Sequence, residues 1–384
     1  MPSTDIPPPA PTATTPTFIF AGGGTGGHLY PGLAIAEKLR AILPNAKVLF
    51  LCSDRDIDRR VLEAEGVAFT ALSAKPAGVR PRALWKFISN WPGSVRAARG
   101  AIRAARSEGG AVRMVALGGF VAAPAVQAAR VERVPVTLVN IDATPGKANN
   151  WIARRCTGVA FTTYADAAHP AWQLISPIVR AAAAAPGNKG ACRRALGIDE
   201  HRPVLMVTGG SLGATSINTL MVAIAQSHPD SFTDRRWQVI HQCGNDGADE
   251  LIGAYANAGI QAVVTPFTRQ MGLWWGAADL AVSRAGAGGV AEAWCNRVPC
   301  VFLPYPYHAD NHQQHNTRPL VERGAAVVCT DRIDAGANLA EAGRVIEGLL
   351  LDPNRLADLA SRAAGLPPAD GAEVVARFLA QNEA

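Results

Sequence analysis

A chain of 384 residues with 48% apolar and 18% charged residues has the length for two domains and the material for large cores, which excludes a single small binding module and wholesale disorder. The net charge of +6 and an isoelectric point near 9.1 allow phosphate, nucleic acid or an anionic membrane as partner, and the sign alone selects none of them. Seven cysteines without a Cys-x-x-Cys pair read as reduced thiols, not as a disulfide framework or a zinc site.

The first 17 residues hold six prolines and neither Lys nor Arg, so residues 1–16 read as a disordered tail and not as a signal peptide. From there short β-rich runs alternate with longer helical stretches, at Thr17 to Ala21, Val48 to Cys52, Met114 to Leu117, Val136 to Asn140 and Gly158 to Thr162. Such alternation predicts βαβ units with helices on both faces of a parallel sheet. After an Ala-, Gly- and Pro-rich interval, Ala181 to Gly190, the pattern restarts with Val204 to Thr208, Gln238 to His241, Val263 to Phe267, Leu280 to Ser283, Val301 to Pro304 and Ala326 to Cys329. Two Rossmann-like α/β halves with a cleft between them are expected. The longest uncharged run, Met114 to Ala129, is broken by Gly118, Gly119 and Pro124, so no membrane-spanning helix is expected.

Each half opens with a strand, a glycine turn and a helix; the turns are Gly22-Gly23-Gly24-Thr25-Gly26-Gly27 and Gly209-Gly210-Ser211-Leu212-Gly213. Ligands of open parallel sheets collect at the carboxyl ends of strands, so both turns should face the cleft. Gly22, Gly24 and Gly27 spell GxGxxG and Asp54 follows the next strand, which keeps a dinucleotide fold open. His28 and Pro31 directly after the glycines, and the equivalent turn in the second half, weaken that reading. A Walker A loop is excluded because no Lys-Ser/Thr follows the glycines. His28 sits at the positive end of a helix dipole, where a neutral imidazole is favoured and can take a proton; the alternative is a buried or capping histidine.

The densest block of the second half runs from Ser283 to Glu292, then through Pro304-Tyr305-Pro306 to Asp310–Asn316. A strand that ends in small residues exposes backbone N–H groups at a helix start, an anion site suited to phosphate. Glu292, about two turns into that helix, can accept from both hydroxyls of a ribose. Gln313 and Asn316, three apart, can reach the same ligand if a helix begins there. His308, His312 and His315 invite a metal reading, but phosphate contacts here do not demand a cation, and neither metal nor cofactor is expected.

Val79 to Ser107 holds Arg80, Arg82, Lys86, Arg96, Arg99, Arg103 and Arg106 and no acid, so its +7 accounts for the chain's whole basic surplus. Arg96, Arg99, Arg103 and Arg106 share a helical face, with Leu84, Trp85, Phe87, Ile88 and Trp91 just upstream. Basic residues beside Trp and Phe suit an anionic lipid surface; the alternative is a solvated helix face over core tryptophans. No RNA or DNA module signature accompanies them, so nucleic acid is not an expected partner.

Gly23-Gly24-Thr25-Gly26-Gly27-His28-x-x-Pro31, Gly209-Gly210-Ser211-x-Gly213-Ala214 and Arg284-x-Gly286 through Glu292 with Asp310-x-His312-Gln313-x-x-Asn316 resemble, in order, the three glycine-rich signatures of the MurG family. That family transfers N-acetylglucosamine from UDP-N-acetylglucosamine to the 4-hydroxyl of a lipid-linked N-acetylmuramyl-pentapeptide, lipid I to lipid II, in peptidoglycan synthesis. The resemblance covers nearly the whole chain after the proline tail. It implies a GT-B fold, metal-independent inverting chemistry and peripheral attachment to the cytoplasmic face of the cell membrane. It also implies an N-terminal acceptor and membrane-associating domain over residues 17–180, a donor domain over 181–370, and a C-terminal helix or tail over 371–384 able to pack back on the first domain.

Carried over by position, Thr25, Gly26 and Gly27 face the sugar and pyrophosphate, and His28 is the candidate base. Arg180 stands for an arginine near the domain junction, Ser211 contacts the donor phosphate, and a backbone group of Thr268 reads uracil. Ala287, Gly288, Gly289, Val290, Ala291 and Glu292 cradle phosphate and ribose, and Gln313 binds the donor. On the membrane side stand Trp85, Phe87, Trp91, Arg96, Arg99 and Arg103. One departure matters: where the family reads His-Glu-Gln-Asn, this chain reads Val139-Asn140-Ile141-Asp142, so its donor-sugar and second candidate catalytic position is Asp142. Asp142 can accept from sugar hydroxyls but cannot donate as an amide does. Three other readings stay open: a GT-B transferase with another lipid acceptor, a catalytically silent nucleotide-sugar-binding paralogue, and an NAD-linked oxidoreductase.

Overall fold

Alternate residues of the first strand, Phe18 and Phe20 on one side and Ile19 and Ala21 on the other, enter two separate cores, as expected of a parallel sheet covered on both faces. This computed structural model describes residues 15–24, 26–76, 81–155, 158–165, 171–210, 213–307 and 311–381. The first half contains β1 (Thr17–Ala21), α1 (Gly26–Ile42), β2 (Lys47–Ser53), α2 (Asp56–Ala64), β3 (Ala68–Leu72), α3 (Pro81–Ser107), β4 (Val112–Ala116), α4 (Gly119–Val131), β5 (Val136–Asn140), α5 (Lys147–Ala153), β6 (Ala160–Thr162) and β7 (Gln173–Leu174). Its strands pair in parallel in the order β3-β2-β1-β4-β5-β6-β7.

The second half follows with α6 (Lys189–Ala195), β8 (Val204–Thr208), α7 (Thr215–Ser227), α8 (Asp230–Thr233), β9 (Gln238–Gln242), α9 (Ala248–Asn257), β10 (Gln261–Thr265), α10 (Met271–Ala277), β11 (Leu280–Ser283), α11 (Ala287–Asn296), β12 (Cys300–Phe302), α12 (His312–Glu322) and β13 (Ala326–Val328). These strands are also all parallel, in the order β10-β9-β8-β11-β12-β13. In both sheets the order reverses beside the first strand, so both glycine turns open at a switch point. β3 and β7 carry no strong sequence signal, and β10 starts two residues before the expected Val263 because Gln261 and Ala262 pair with β9.

After α13 (Ala335–Asn338), α14 (Arg344–Leu351) and α15 (Pro353–Ala364), the last helix α16 (Gly371–Gln381) returns to the first half. Ala372, Val375, Ala376 and Leu379, at one-face helical spacing, join the core that holds Phe18 and Phe20. The two crossings between domains are pinned together: Ser176 Oγ donates to Asp370 Oδ1 at 2.5 Å and accepts from the Asp370 N–H at 2.8 Å. Gly371 is required there, because a Cβ would stand 2.0 Å from the Ser176 carbonyl oxygen. Among the described residues no helix is long and apolar enough to cross a membrane.

Candidate active site

The first glycine turn is built around a buried acid. Asp58 Oδ2 accepts from the Gly24 N–H at 2.7 Å, the Ser53 N–H at 3.0 Å and Ser53 Oγ at 2.6 Å. Asp58 Oδ1 is buried with no partner among the described residues. Arg55 donates to the Gly24 carbonyl at 2.5 Å and lies 5.3 Å over the Phe120 ring. Gly24, at φ +94°, has no room for a side chain, since a Cβ would meet Phe120 Cε1 at 2.3 Å. The Gly24 N–H is therefore committed to the protein and not to a ligand. Asp54, the acid that kept a dinucleotide fold open, is exposed and pairs with Lys75 at 2.5 Å.

Thr25 lies outside the described residues; Gly26 and Gly27 start α1, and His28 follows half-buried. The edge of the His28 ring faces Gly119, where a Cβ would come within 3.0 Å of Cδ2 and 3.3 Å of Nε2. His28 Nδ1 is buried without a partner among the described residues.

Asn140 and Asp142 do different work. Asn140 is fully buried, donates to the Asp142 carbonyl at 2.7 Å and accepts from Asn149 Nδ2 at 2.8 Å, so it shapes the loop. Asp142 Oδ1 faces the second domain and accepts from Asn316 Nδ2 at 3.2 Å. Asn316 also donates to the Ala285 carbonyl, accepts from the Ala143 N–H at 2.8 Å, and offers its carbonyl to the Tyr164 hydroxyl. The expectation that Asn316 reaches the ligand is thus corrected: its amide rivets the domains together.

In the second half Ser211 lies outside the described residues, and the flanking Gly210 and Gly213 take φ of +84° and +75°. A Cβ on Gly213 would stand 2.2 Å from the Cys243 carbonyl oxygen. α11 begins after Gly286 without a side-chain cap, and Val290 is the first residue whose N–H bonds back, to Gly286. The N–H groups of Ala287, Gly288 and Gly289 are therefore the orphan donors at the positive end of a helix dipole, an anion site. A Cβ on Gly288 would meet open space, so packing does not demand glycine there.

Glu292 stands further along α11, directly after Val290 and Ala291. Its Oε2 accepts from Trp275 Nε1 at 2.8 Å, and burial pushes its carboxyl up to about 7 although that hydrogen bond works in the opposite direction. Tyr30 of the first domain lies in the field of Glu292 and Arg269, its hydroxyl raised chiefly by burial. The Thr268 N–H donates to Gln242 Oε1 at 3.2 Å and is committed to the protein. Gln313 Oε1 accepts from the Tyr305 N–H at 2.8 Å, leaving its amide nitrogen to donate.

Arg180 is not free to hold a donor. Its guanidinium makes four hydrogen bonds to Glu37 and Glu65, at 2.7 to 3.0 Å, and clamps the crossing segment to the first domain. A cavity of about 650 Å³ between the domains is bordered by Pro31, Ile141, Tyr164, Ile178, Ala287 and Arg318, among others, but by none of His28, Glu292 and Gln313.

The basic helix α3 divides into two parts. Trp85 is 70% exposed, with Leu84, Lys86 and Ile88 exposed around it. Phe87 and Trp91 instead turn inward: their rings are 5.3 Å apart, and Trp91 meets Trp151 edge-on at 6.0 Å. Arg99 and Arg103 donate to Glu132 Oε1 at 2.8 and 3.0 Å, and Arg106 to the Glu132 carbonyl at 2.5 Å. These bonds, the Arg99 one foremost, hold the Glu132 carboxyl below its ordinary range. At 1.5 Å per residue Trp85 and Arg103 lie roughly 27 Å apart along the helix, so the exposed aromatic tip and the arginines bound to Glu132 stand at different ends of it.

Sequence reasoning missed Arg55, Asp58, Gln242 and Trp275. Gln242 carried a readable signal, since it ends a strand where ligands collect.

Residues 18–161 match the glycosyltransferase family 28 N-terminal domain and residues 204–375 its C-terminal domain. A UDP-N-acetylglucosamine--N-acetylmuramyl-(pentapeptide) pyrophosphoryl-undecaprenol N-acetylglucosamine transferase from Desulforudis audaxviator is 35% identical over 91% of this chain and 95% of its own. The transferase of the same description from Clavibacter sepedonicus is 36% identical over 92% of this chain and 93% of its own. Among solved structures, MurG of Acinetobacter baumannii superposes with a TM-score of 0.71 over 96% of this chain and 99% of its own, at 22% identity, and shares its fold.

Proposed function

Since this chain belongs to glycosyltransferase family 28, and within it to the transferases that act on lipid-linked muramyl-pentapeptide, we propose the following reading of its chemistry. The protein is a GT-B glycosyltransferase that moves N-acetylglucosamine from UDP-N-acetylglucosamine to the 4-hydroxyl of the lipid-linked N-acetylmuramyl-pentapeptide. The hydroxyl attacks the anomeric carbon as UDP leaves, with inversion. Negative charge grows on the pyrophosphate, so preorganised donors aimed there stabilise the transition state most. The uncapped N–H groups of Ala287, Gly288 and Gly289, with Ser211 in the second glycine turn, are assigned that role. Glu292 takes the ribose hydroxyls, Gln313 donates to the donor, and the Thr268 carbonyl faces the uracil.

His28 is assigned as the base, because an imidazole is matched to proton transfer near neutrality while an ionised carboxylate is a weaker base. Asp142 is the second candidate, held by Asn316 at the domain boundary. The exposed Trp85, with Leu84, Ile88 and the nearby Arg82 and Lys86, supports peripheral docking on an anionic leaflet of the cytoplasmic face.

The observation that carries the nucleotide reading is α11, an open helix start with an acid two turns along. A radiolabelled transfer assay with UDP-N-acetylglucosamine and a short-chain lipid-linked muramyl acceptor tests the whole. Labelled product is expected. Transfer only to another lipid acceptor would replace the acceptor assignment, and UDP binding without turnover would mark a silent paralogue.

A further inference from the structure

Gln242 is the last residue of β9, and β9 lies between β8 and β10 in the second sheet. Its register partners are Thr208 on one side and Thr265 on the other, the last residues of both neighbouring strands. From that position one side chain reaches the loops beyond both. Gln242 Nε2 donates to the Gly210 carbonyl at 2.8 Å, inside the second glycine turn, and Oε1 accepts from the Thr268 N–H at 3.2 Å. One partner is an acceptor and the other a donor, so the amide orientation is fixed. The side chain is 2% exposed.

The preceding residue anchors the same strand end from behind. His241 Nε2 lies 3.1 Å from Asn218 Oδ1 and Nδ1 lies 3.0 Å from the Tyr255 hydroxyl, while Asn218 Nδ2 donates to the Cys243 carbonyl at 2.9 Å. Gly213 packs onto that carbonyl. The strut is therefore rigid at its base.

We infer that Gln242 is a positioning residue for the nucleotide: it fixes the spacing between the turn that holds the phosphates and the loop that faces the base. This rests on the nucleotide reading above. Both side-chain bonds of Gln242 go to the protein, to Gly210 and Thr268. Its effect is that a ligand spanning both loops meets them already at the right separation, as in any preorganised two-point site, whereas a ligand that uses one loop gains nothing from the strut.

Calorimetry and competition titrations with UDP, uridine and pyrophosphate separate these cases in the wild type, Gln242→Leu and Gln242→Glu. Gln242→Leu frees both loops. Gln242→Glu keeps an acceptor for the Thr268 N–H but sets a carboxylate against the Gly210 carbonyl, loosening the phosphate arm alone. UDP affinity is expected to fall roughly tenfold in both variants, the loss of about one net hydrogen bond, while uridine affinity in Gln242→Glu stays within about twofold of wild type. Amide hydrogen exchange gives a readout independent of binding: the Thr268 amide should exchange faster in Gln242→Leu but not in Gln242→Glu. Unchanged UDP affinity in either variant, or equal losses for uridine and UDP in Gln242→Glu, would overturn the inference. A wild type that binds no UDP would overturn the nucleotide reading itself and the inference with it.

Discussion

Replacing Glu292 with Gln keeps an oxygen for the Trp275 indole N–H and removes the ionisable group, so it isolates what the charge does. Burial holds this acid at about 7 against an ordinary 4.5. A difference of that size corresponds to about 3 kcal/mol in favour of the protonated form of the folded protein. The folded state keeps a proton that the unfolded chain gives up, so the associated stability is complete below the unfolded value and is lost as pH rises through about 7. Wild type should therefore lose stability relative to Glu292→Gln between about pH 4.5 and pH 7, and partial solvation of the carboxyl brings the expected difference to about 1–3 kcal/mol.

UDP binding should run the other way. The ribose hydroxyls are donors and need the ionised carboxylate, so wild-type affinity should rise through neutrality relative to the variant. A hydrogen bond to a charged group contributes about 1.5–3 kcal/mol, which puts the two proteins roughly 10- to 150-fold apart above pH 8 and close together below pH 6. The phosphates of UDP titrate alike in both titrations, so the difference between the proteins reports Glu292. Thermal melts and calorimetry across pH make the check: parallel curves for wild type and Glu292→Gln would remove Glu292 from the ribose site.

His28→Ala should lower kcat by roughly 10² to 10⁴, the range of a general base, with UDP affinity unchanged by calorimetry; near-normal turnover would pass the role to Asp142. Asn316→Ala should free Asp142 and the Ala143 N–H together, and a small-angle scattering profile wider than that of the wild type would report the lost link between domains. Trp85→Ser with Lys86→Glu should weaken sedimentation with anionic vesicles, each charge contributing about 1 kcal/mol near the leaflet, and leave activity on a soluble acceptor intact. Arg99→Glu with Arg103→Glu should instead chiefly lower the melting temperature, because both new acids would face Glu132.

The doubly wound halves were legible because period and punctuation survive in sequence: buried runs such as Val204–Thr208 are short, apolar and followed by glycine. β7 was not, because two exposed residues added to a sheet edge leave no hydrophobic signature. Glu292 and Gln313, proposed for the donor side, were legible as residue types on helices that follow strand ends. Arg180 was not, since nothing in its neighbours along the chain reveals Glu37 and Glu65, which are 143 and 115 residues away. The helical stripe of arginines on α3 was real, but helical spacing says which residues share a face and not what lies opposite, and here it is Glu132.

The two glycine turns look interchangeable in sequence, yet their electrostatics divide the work. Beneath the first lies the fully buried Asp58, which consumes the Gly24 N–H and leaves one carboxylate oxygen without a partner among the described residues. Arg55 donates to the Gly24 carbonyl of the same turn. The second domain differs: α11 is uncapped with its N–H groups unspent, and the buried acid nearby, Asp331, is paired with Arg284 at 2.6 Å and accepts from Ser216. This contrast supports the proposed assignment of anion stabilisation to the second domain, with the first turn left to present His28 beside Gly119. In that proposal the leaving pyrophosphate and the attacking hydroxyl meet opposite fields from the two domains, so neither turn has to serve two charges.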